Sequence, residues 1–204
     1  MAPNHDLSSP DNALADRNRS LRQEIQRRVD ELAAISTVAA AVGQSLDLEL
    51  TLKTALQAVL EVIAVDAAGI SLVDEAAGEL VLRAQQGWRK DFLSPPMRLQ
   101  LGQGLSGQVI AEDRVIVAGD LTGDERLAVP AFSEEQVKAL AMAPMHARGR
   151  VIGVLSVMSH ADYNFSQEQI DVLKAVADQV GVALENARLY ENARQQERRL
   201  AAII

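Results

Sequence analysis

The chain has 204 residues, 48% of them apolar and 24% charged, with 3% aromatic, a formal net charge of −8 and no cysteine. That length holds one ordinary domain plus helical extensions, and the composition is that of a globular protein with an aliphatic core. The acidic balance argues against a phosphate-binding surface and so against a nucleic-acid partner, and the missing cysteine excludes disulfides, thiolate metal sites and a cysteine nucleophile.

In chain order, residues 1–12 (MAPNHDLSSPDN) mix Pro, Ser, Asn and Asp, a disordered-tail composition with neither a basic nor an apolar signal region. Over residues 13–43, Leu21, Ile25, Leu32, Ile35, Ala39 and Val42 recur at helical steps, and Gly43 closes that helix. Asp47 is placed to cap a second helix whose apolar face carries Leu52, Leu56, Val59, Leu60 and Ile63. The apolar period then drops to that of strands: Ala68–Val73 and Leu80–Ala84 flank a polar turn with Gly78, predicting a hairpin. A loop over residues 87–96 carries Trp88, Arg89 and Lys90, with Trp88 as a half-buried anchor or a rim contact. Met97–Leu101 is a third strand, Leu105–Glu112 a short helix and Val115–Ala118 a fourth strand. After an irregular stretch to Phe132, Ser133-Glu134-Glu135-Gln136 reads as a capping box opening a short helix to Leu140. Met142–Arg148 and Val151–Ser159 form a last hairpin around Gly149, and Ser166 with Gln169 caps a long C-terminal helix. The class is α+β: an antiparallel sheet of five or six strands flanked by helices, with long helices at both ends. No stretch reaches the roughly 18 consecutive apolar residues of a membrane span, so no membrane contact and a cytoplasmic location are expected.

The last helix carries more than a sheet requires. Leu173, Val176, Val180, Ala183, Ala187 and Tyr190 lie on one heptad seam that turns polar at Arg194 and Glu197. Its first turns cover the sheet, but beyond Asn186 no strand is left to cover, which predicts a parallel homodimer through this seam, with the N-terminal helix completing a four-helix bundle. The basic residues of Arg17–Arg28 and Arg188–Arg199 alternate with Glu and Gln as solvated helix faces. The ending RRLAAII has no Gly, Asn or Pro to stop a helix, so residues 189–204 are expected to be a helical linker into an output domain.

Gly102, Gly104 and Gly107 spell G-x-G-x-x-G after an extended segment and before a helix, with Asp120 and Asp124 downstream. Context rejects a dinucleotide site. Met97-Arg98-Leu99-Gln100-Leu101 alternates strictly and so has one wet face, and too few residues precede Val115 for a parallel crossover. Of the histidines, His5 lies in the tail, His146 lies on a strand facing away from Met145 in a supporting or surface role, and His160 opens the final loop near Asp162. None sits at metal-ligand spacing, and no Ser-His-Asp arrangement stands out, so no metal, no catalytic residues and no enzyme activity are expected of this segment.

Three stretches belong together: GQGLSGQVIAEDRVIVAGDL (Gly102–Leu121), RGRVIGVLSVMS (Arg148–Ser159) and FSQEQIDVLKAVADQVGVALENARLY (Phe165–Tyr190). They resemble the GAF family of regulatory sensor domains over roughly Leu32–Tyr190, with residues 44–188 as the sensor domain and residues 13–43 as a signalling helix. By this resemblance Gly102, Gly104 and Gly107 match the family's glycine turn, Asp120 the acid after the Val-Ile-Val strand, and Asp124-Glu125-Arg126 its acidic-then-arginine loop. Gly149, Gly153 and Leu155 match the closing hairpin and Phe165 the aromatic before the last helix. The family binds small molecules, chromophores or nothing, and passes a conformational signal along helices to an output domain, which here could be a two-component histidine kinase or a nucleotide cyclase. Its covalent bilin photoreceptors and methionine-sulfoxide reductases need a cysteine that this chain lacks. Its haem-binding members use a histidine absent from Leu121–Ala141, and the acid-rich cyclic-nucleotide motif is not evident, so no cofactor is expected. The implied pocket lies between the sheet and the segments crossing it. Its candidate walls are Ile70, Leu72, Leu99, Leu101, Ile116, Ala118, Asp120, Leu121, Phe132, Met142 and Leu155, with backbone amides of Ala118–Leu121 as polar anchors. The expectation is a cytoplasmic, homodimeric small-molecule sensor feeding a fused output domain. The alternative is a ligand-free connector that only dimerises; a polar-lined cavity favours the first and a core packed shut the second.

Overall fold

The computed structural model describes residues 10–42, 47–119, 121, 132 and 134–201. Helix α1 (Pro10–Val42) and helix α2 (Leu48–Ile63) precede strands β1 (Ala67–Asp74), β2 (Glu79–Gln86) and β3 (Arg98–Gln100). Helix α3 (Gly104–Glu112), strands β4 (Ile116–Gly119), β5 (Ala139–Ala147) and β6 (Arg150–Ser159), and helix α4 (Gln167–Ala201) complete the chain. The strands form one sheet of six in the order β3-β2-β1-β6-β5-β4, every neighbouring pair antiparallel. This is the expected α+β class, and it removes the dinucleotide reading, which needs a parallel sheet. Gly107 has a packing role instead: a Cβ there would lie 2.3 Å from the Gly102 carbonyl carbon.

The local signals behave as written in the sequence. The Asp47 side chain accepts the Leu50 N–H at 3.0 Å, and Ser166 and Gln169 bond reciprocally at 3.1 and 3.2 Å, a complete capping box. Between β5 and β6, Arg148 and Gly149 both take positive φ, 52° and 76°, the twist a two-residue hairpin loop demands. Two boundaries differ. Residues 10–12, assigned by composition to the tail, are helical, because Pro10 fits a first helical turn where its missing N–H costs nothing. The helix expected to reach Leu140 is already over at Gln136, whose φ is 56°, and β5 starts at Ala139. Long-range pairing of Leu140 with Met158 and Ala118 overrides the local capping signal there. Gly43 and residues 1–9 lie outside the described residues.

Period-two alternation divides the core between the two faces of the sheet. One face presents Ala68, Ile70, Ala141, Ala143, Met145, Leu155 and Val157 to α2 and α4, where Leu56, Val59, Leu173, Val176 and Val180 meet them. The alanines let helix backbones approach closely; a Cβ on Gly181 of α4 would stand 2.4 Å from the His146 carbonyl oxygen. The opposite face presents Ala67, Leu80, Leu99, Leu140, Met142, Val154 and Met158 to Leu105 and Val109 of α3.

This arrangement corrects the predicted dimer seam. Leu173, Val176, Val180 and Ala187 are at most 1% exposed within their own chain, and Ala183 packs against the same core. Only Tyr190, 42% exposed, remains on the surface. A heptad stripe reports an apolar surface to be covered, not which surface covers it, and here α1, α2 and the sheet do so. Among the described residues, the exposed large apolar side chains include Leu14, Leu21, Ile25, Val29 and Leu32 along α1 and Val182, Leu189 and Tyr190 on α4.

Candidate functional site

Six of the predicted wall residues, Leu99, Ile116, Ala118, Leu121, Phe132 and Met142, meet in one buried cluster between the sheet and α3. The antiparallel register opposes Ile116 to Met142, while Leu99 comes from the edge strand β3. Over this cluster lies an aromatic roof. Trp88 stands 5.5 Å from Phe92, edge-on, and 6.2 Å from Phe132. Its indole N–H donates to the Ala68 carbonyl at 2.7 Å, which holds the polar tip while the ring covers apolar side chains. Trp88 is therefore an anchor. Gly69 leaves room for it, since a Cβ there would touch the ring at 2.9 Å. The polar groups at this level are few: Ser156 Oγ donates to the Gly69 carbonyl at 3.1 Å, and Ser106 Oγ contacts the Met142 sulfur at 3.6 Å.

The remaining wall residues do not join it. Ile70, Leu72 and Leu155 point to the opposite face and pack with α2 and α4, so they cannot line the same space. Alternation fixes which residues share a face but not which layer that face meets. Leu101 is 40% exposed beside the turn, and Asp120 lies outside the described residues.

A buried carboxylate ties the roof down, and the sequence reading missed it. Glu135 is fully buried, and its two oxygens accept the backbone N–H groups of Arg89 and Lys90 at 2.7 Å each. Arg89 also donates to the Gln136 side chain at 2.8 Å, and the Lys90 ammonium pairs with Glu134 at 2.9 Å. Behind Glu135, His160 Nε2 stands 3.6 Å away, buried and without a hydrogen-bond partner among the described residues. Asp66 accepts the His160 N–H at 2.9 Å and the Ser159 hydroxyl at 2.8 Å, and these bonds hold its carboxyl below the usual range. Glu135 thus ties down the loop that carries the roof, and Asp66 separately ties the end of β6 to the residue before β1. Some 46 residues separate Arg89 from Glu135, and no local spacing announces such a pair.

A second cluster joins the two faces. His146 follows an irregularity in β5 and is held from both sides, Nδ1 by Asp178 of α4 at 2.7 Å and Nε2 by Asp113 after α3 at 2.6 Å. Partial burial, the largest influence, disfavours its charge, but the bonds to Asp178 and Asp113 and their negative charges outweigh it and raise its pKa. A raised folded pKa gives stability that is complete below the unfolded value of about 6.5 and lost as pH rises through the folded one. The stability difference between the parent and His146→Ala should therefore shrink with rising pH above about 6.5. Denaturation across that range checks this; a difference constant with pH would contradict it. For the supporting or surface role read for His146 from sequence, the structure shows a bridge to α4, whose partners Asp113 and Asp178 stand far apart along the chain. Among the described residues, no group of three or more His, Asp or Glu side chains is placed to hold a metal ion.

Comparison with known proteins agrees with this fold. A family model described as the GAF domain matches residues 45–185. Among solved structures, the GAF domain of a phosphoenolpyruvate-protein phosphotransferase from Coxiella burnetii superposes with a TM-score of 0.71 at 23% identity, covering 80% of this chain and 98% of that one. A free methionine-R-sulfoxide reductase from Neisseria meningitidis, solved with its substrate, has a TM-score of 0.65 at 23% identity over 78% of this chain and 91% of that one. At such identity these two show the fold alone. In sequence the chain is 27% identical over 105 residues to a probable 3',5'-cyclic phosphodiesterase of Caenorhabditis elegans, spanning 50% of this chain but only 14% of that protein.

Proposed function

Because the chain belongs to the GAF domain family, a family found in signalling proteins, we propose that it is a cytoplasmic regulatory module that takes a small apolar molecule under the Trp88 roof and signals through paired helices to a fused output domain. The observation that carries this reading is the continuity of α4. Its first half is core from Leu173 to Ala187, and the same helix runs on to Ala201, mostly exposed as far as Arg199. A ligand that shifts the roof, α3 or the His146 bridge moves the seat of a rigid rod, and a rod delivers that motion to whatever follows it. The roofed cluster is packed shut, which by itself favours the connector; binding there requires the cover held by Glu135 to open onto the apolar interior beneath it. In this reading the segment regulates rather than catalyses and needs no metal, haem or bilin. Native mass spectrometry of protein taken from cells tests the ligand: a bound small molecule supports a sensor, and its absence together with roof residues rigid to hydrogen exchange supports the ligand-free connector.

Pairing of two copies is assigned to α1. Leu14, Leu21, Ile25 and Leu32 recur at steps of seven and four and are 49–65% exposed, a stripe that two parallel helices bury together. Ile25→Glu with Leu32→Glu is expected to turn a dimer into a monomer at tens of micromolar with the sheet domain still folded, because neither side chain contributes to its own chain's core. Sedimentation equilibrium checks it; an unchanged dimer, or a parent that is already monomeric, would sink the assignment.

A further inference from the structure

On the sheet face away from the roof, a cleft of about 460 Å³ opens where the β1–β2 hairpin meets the root of the exposed half of α4. Its apolar floor includes Leu72, Val81, Ile152 and Leu184, and four arginines, Arg83, Arg98, Arg150 and Arg188, stand around it. In a protein of net charge −8 the cleft sets four arginines against three acids, Asp74, Glu75 and Glu185, so its own balance is on the positive side. Among the described residues, the acids at the cleft pair with two of these arginines and leave the other two free. Glu75 is taken by Arg150, Glu185 by Arg148 at 3.4 Å, and Arg98 is held by Glu79 at 2.8 Å with Asp74 at 4.0 Å. Arg83 and Arg188 have no hydrogen-bond or ion-pair partner among the described residues.

Arg83 is also placed by a backbone irregularity. In the β1–β2 ladder Ile70 opposes Ala84 and Ser71 opposes Leu82, which leaves Arg83 as the extra residue of a bulge with no partner in β1. A bulge re-aims a side chain at the cost of ladder hydrogen bonds. Here it sets Arg83 between this cleft and an adjoining one of about 560 Å³ along α2, which shares Val81, Arg83 and Arg98.

We propose that this cleft is a binding site for a small organic anion, a carboxylate or phosphate held by Arg83 and Arg188 with its apolar body on Leu72, Val81 and Leu184. Guanidinium groups suit such oxyanions because their N–H donors are fixed in a plane and bond two oxygens at once. The volume is that of a small-molecule pocket. Since Arg83 belongs to the sheet and Arg188 to α4, an anion shared by the two pins the root of the exposed helix to the sheet. The site is separate from the roofed cluster and does not depend on what that cluster binds.

The test uses the full chain with 8-anilinonaphthalene-1-sulfonate, an anion with an apolar body, and the uncharged N-phenyl-1-naphthylamine as its counterpart. The expected result is saturable binding of the sulfonate at one per chain, at least tenfold weaker in Arg83→Gln with Arg188→Gln and unchanged in Arg114→Gln, an exposed arginine beyond α3. Hydrogen exchange over residues 184–195 should slow when the sulfonate is added to the parent. Both replaced arginines are exposed, so the variant keeps its fold, as circular dichroism verifies. The proposal falls if the parent does not bind the sulfonate, if the double variant binds it like the parent, or if the uncharged probe binds as tightly.

Discussion

Glu135→Ala is expected to lower the unfolding free energy by about 3 kcal/mol, the value for losing two bonds to a buried charged acceptor and leaving two amides unpaired. The carboxylate is fully buried and receives the Arg89 and Lys90 N–H groups through partly buried bonds. The effect should be readable at the roof itself. The chain has one tryptophan, so its fluorescence reports Trp88 alone, and the emission should move to longer wavelength as the loop releases and the ring meets water. Glu135→Gln keeps one carbonyl acceptor and should lose roughly half as much. If Glu135→Ala unfolded at the same denaturant concentration as the parent, with unchanged emission, the latch would be an accident of packing.

Gly181→Ala should destabilise the fold by about 2 kcal/mol, although in an isolated helix the same change would stabilise by about 1 kcal/mol. The sign reverses because the new methyl would lie 2.4 Å from the His146 carbonyl oxygen and 2.9 Å from its nitrogen, both backbone atoms that cannot rotate away. Helix α4 must then back off β5, which also lengthens the bond from His146 to Asp178, less than one turn before Gly181. Two measurements check this: denaturant unfolding, and the His146 ring titration by NMR, whose midpoint should fall toward 6.5, the unperturbed histidine value. Val182→Ala, at a 51% exposed neighbour, should stay within about 0.5 kcal/mol of the parent. A Gly181→Ala protein as stable as the parent would mean that α4 docks less closely than its geometry implies.

These two positions mark where reading the chain stopped. The α+β class, the two hairpins, the Asp47 cap and the Ser166–Gln169 box were legible because each rests on residues within a few places of one another. There, periodicity, capping and turn chemistry act locally and agree with the fold. The motif stretches at Gly102–Leu121, Arg148–Ser159 and Phe165–Tyr190 likewise carried the family. Of the candidate walls, Leu99, Ile116, Ala118, Leu121, Phe132 and Met142 were legible as a group, because they lie in or beside segments that must cross one face.

The rest was decided in three dimensions. Ile70, Leu72 and Leu155 were assigned to the wrong side because alternation gives parity without saying which layer each parity meets. The stripe Leu173–Ala187 was read as a dimer seam because burial by another chain and burial by one's own sheet leave the same apolar spacing in the sequence. Glu135 looked like part of a helix cap until the loop bearing Arg89, 46 residues earlier, supplied the amides it holds. Sequence by itself thus determined which residues prefer helix, strand or turn and which faces must be covered. Only tertiary structure decided what covers them, because close approach between distant segments depends on the position of the whole backbone and not on any local run of residues.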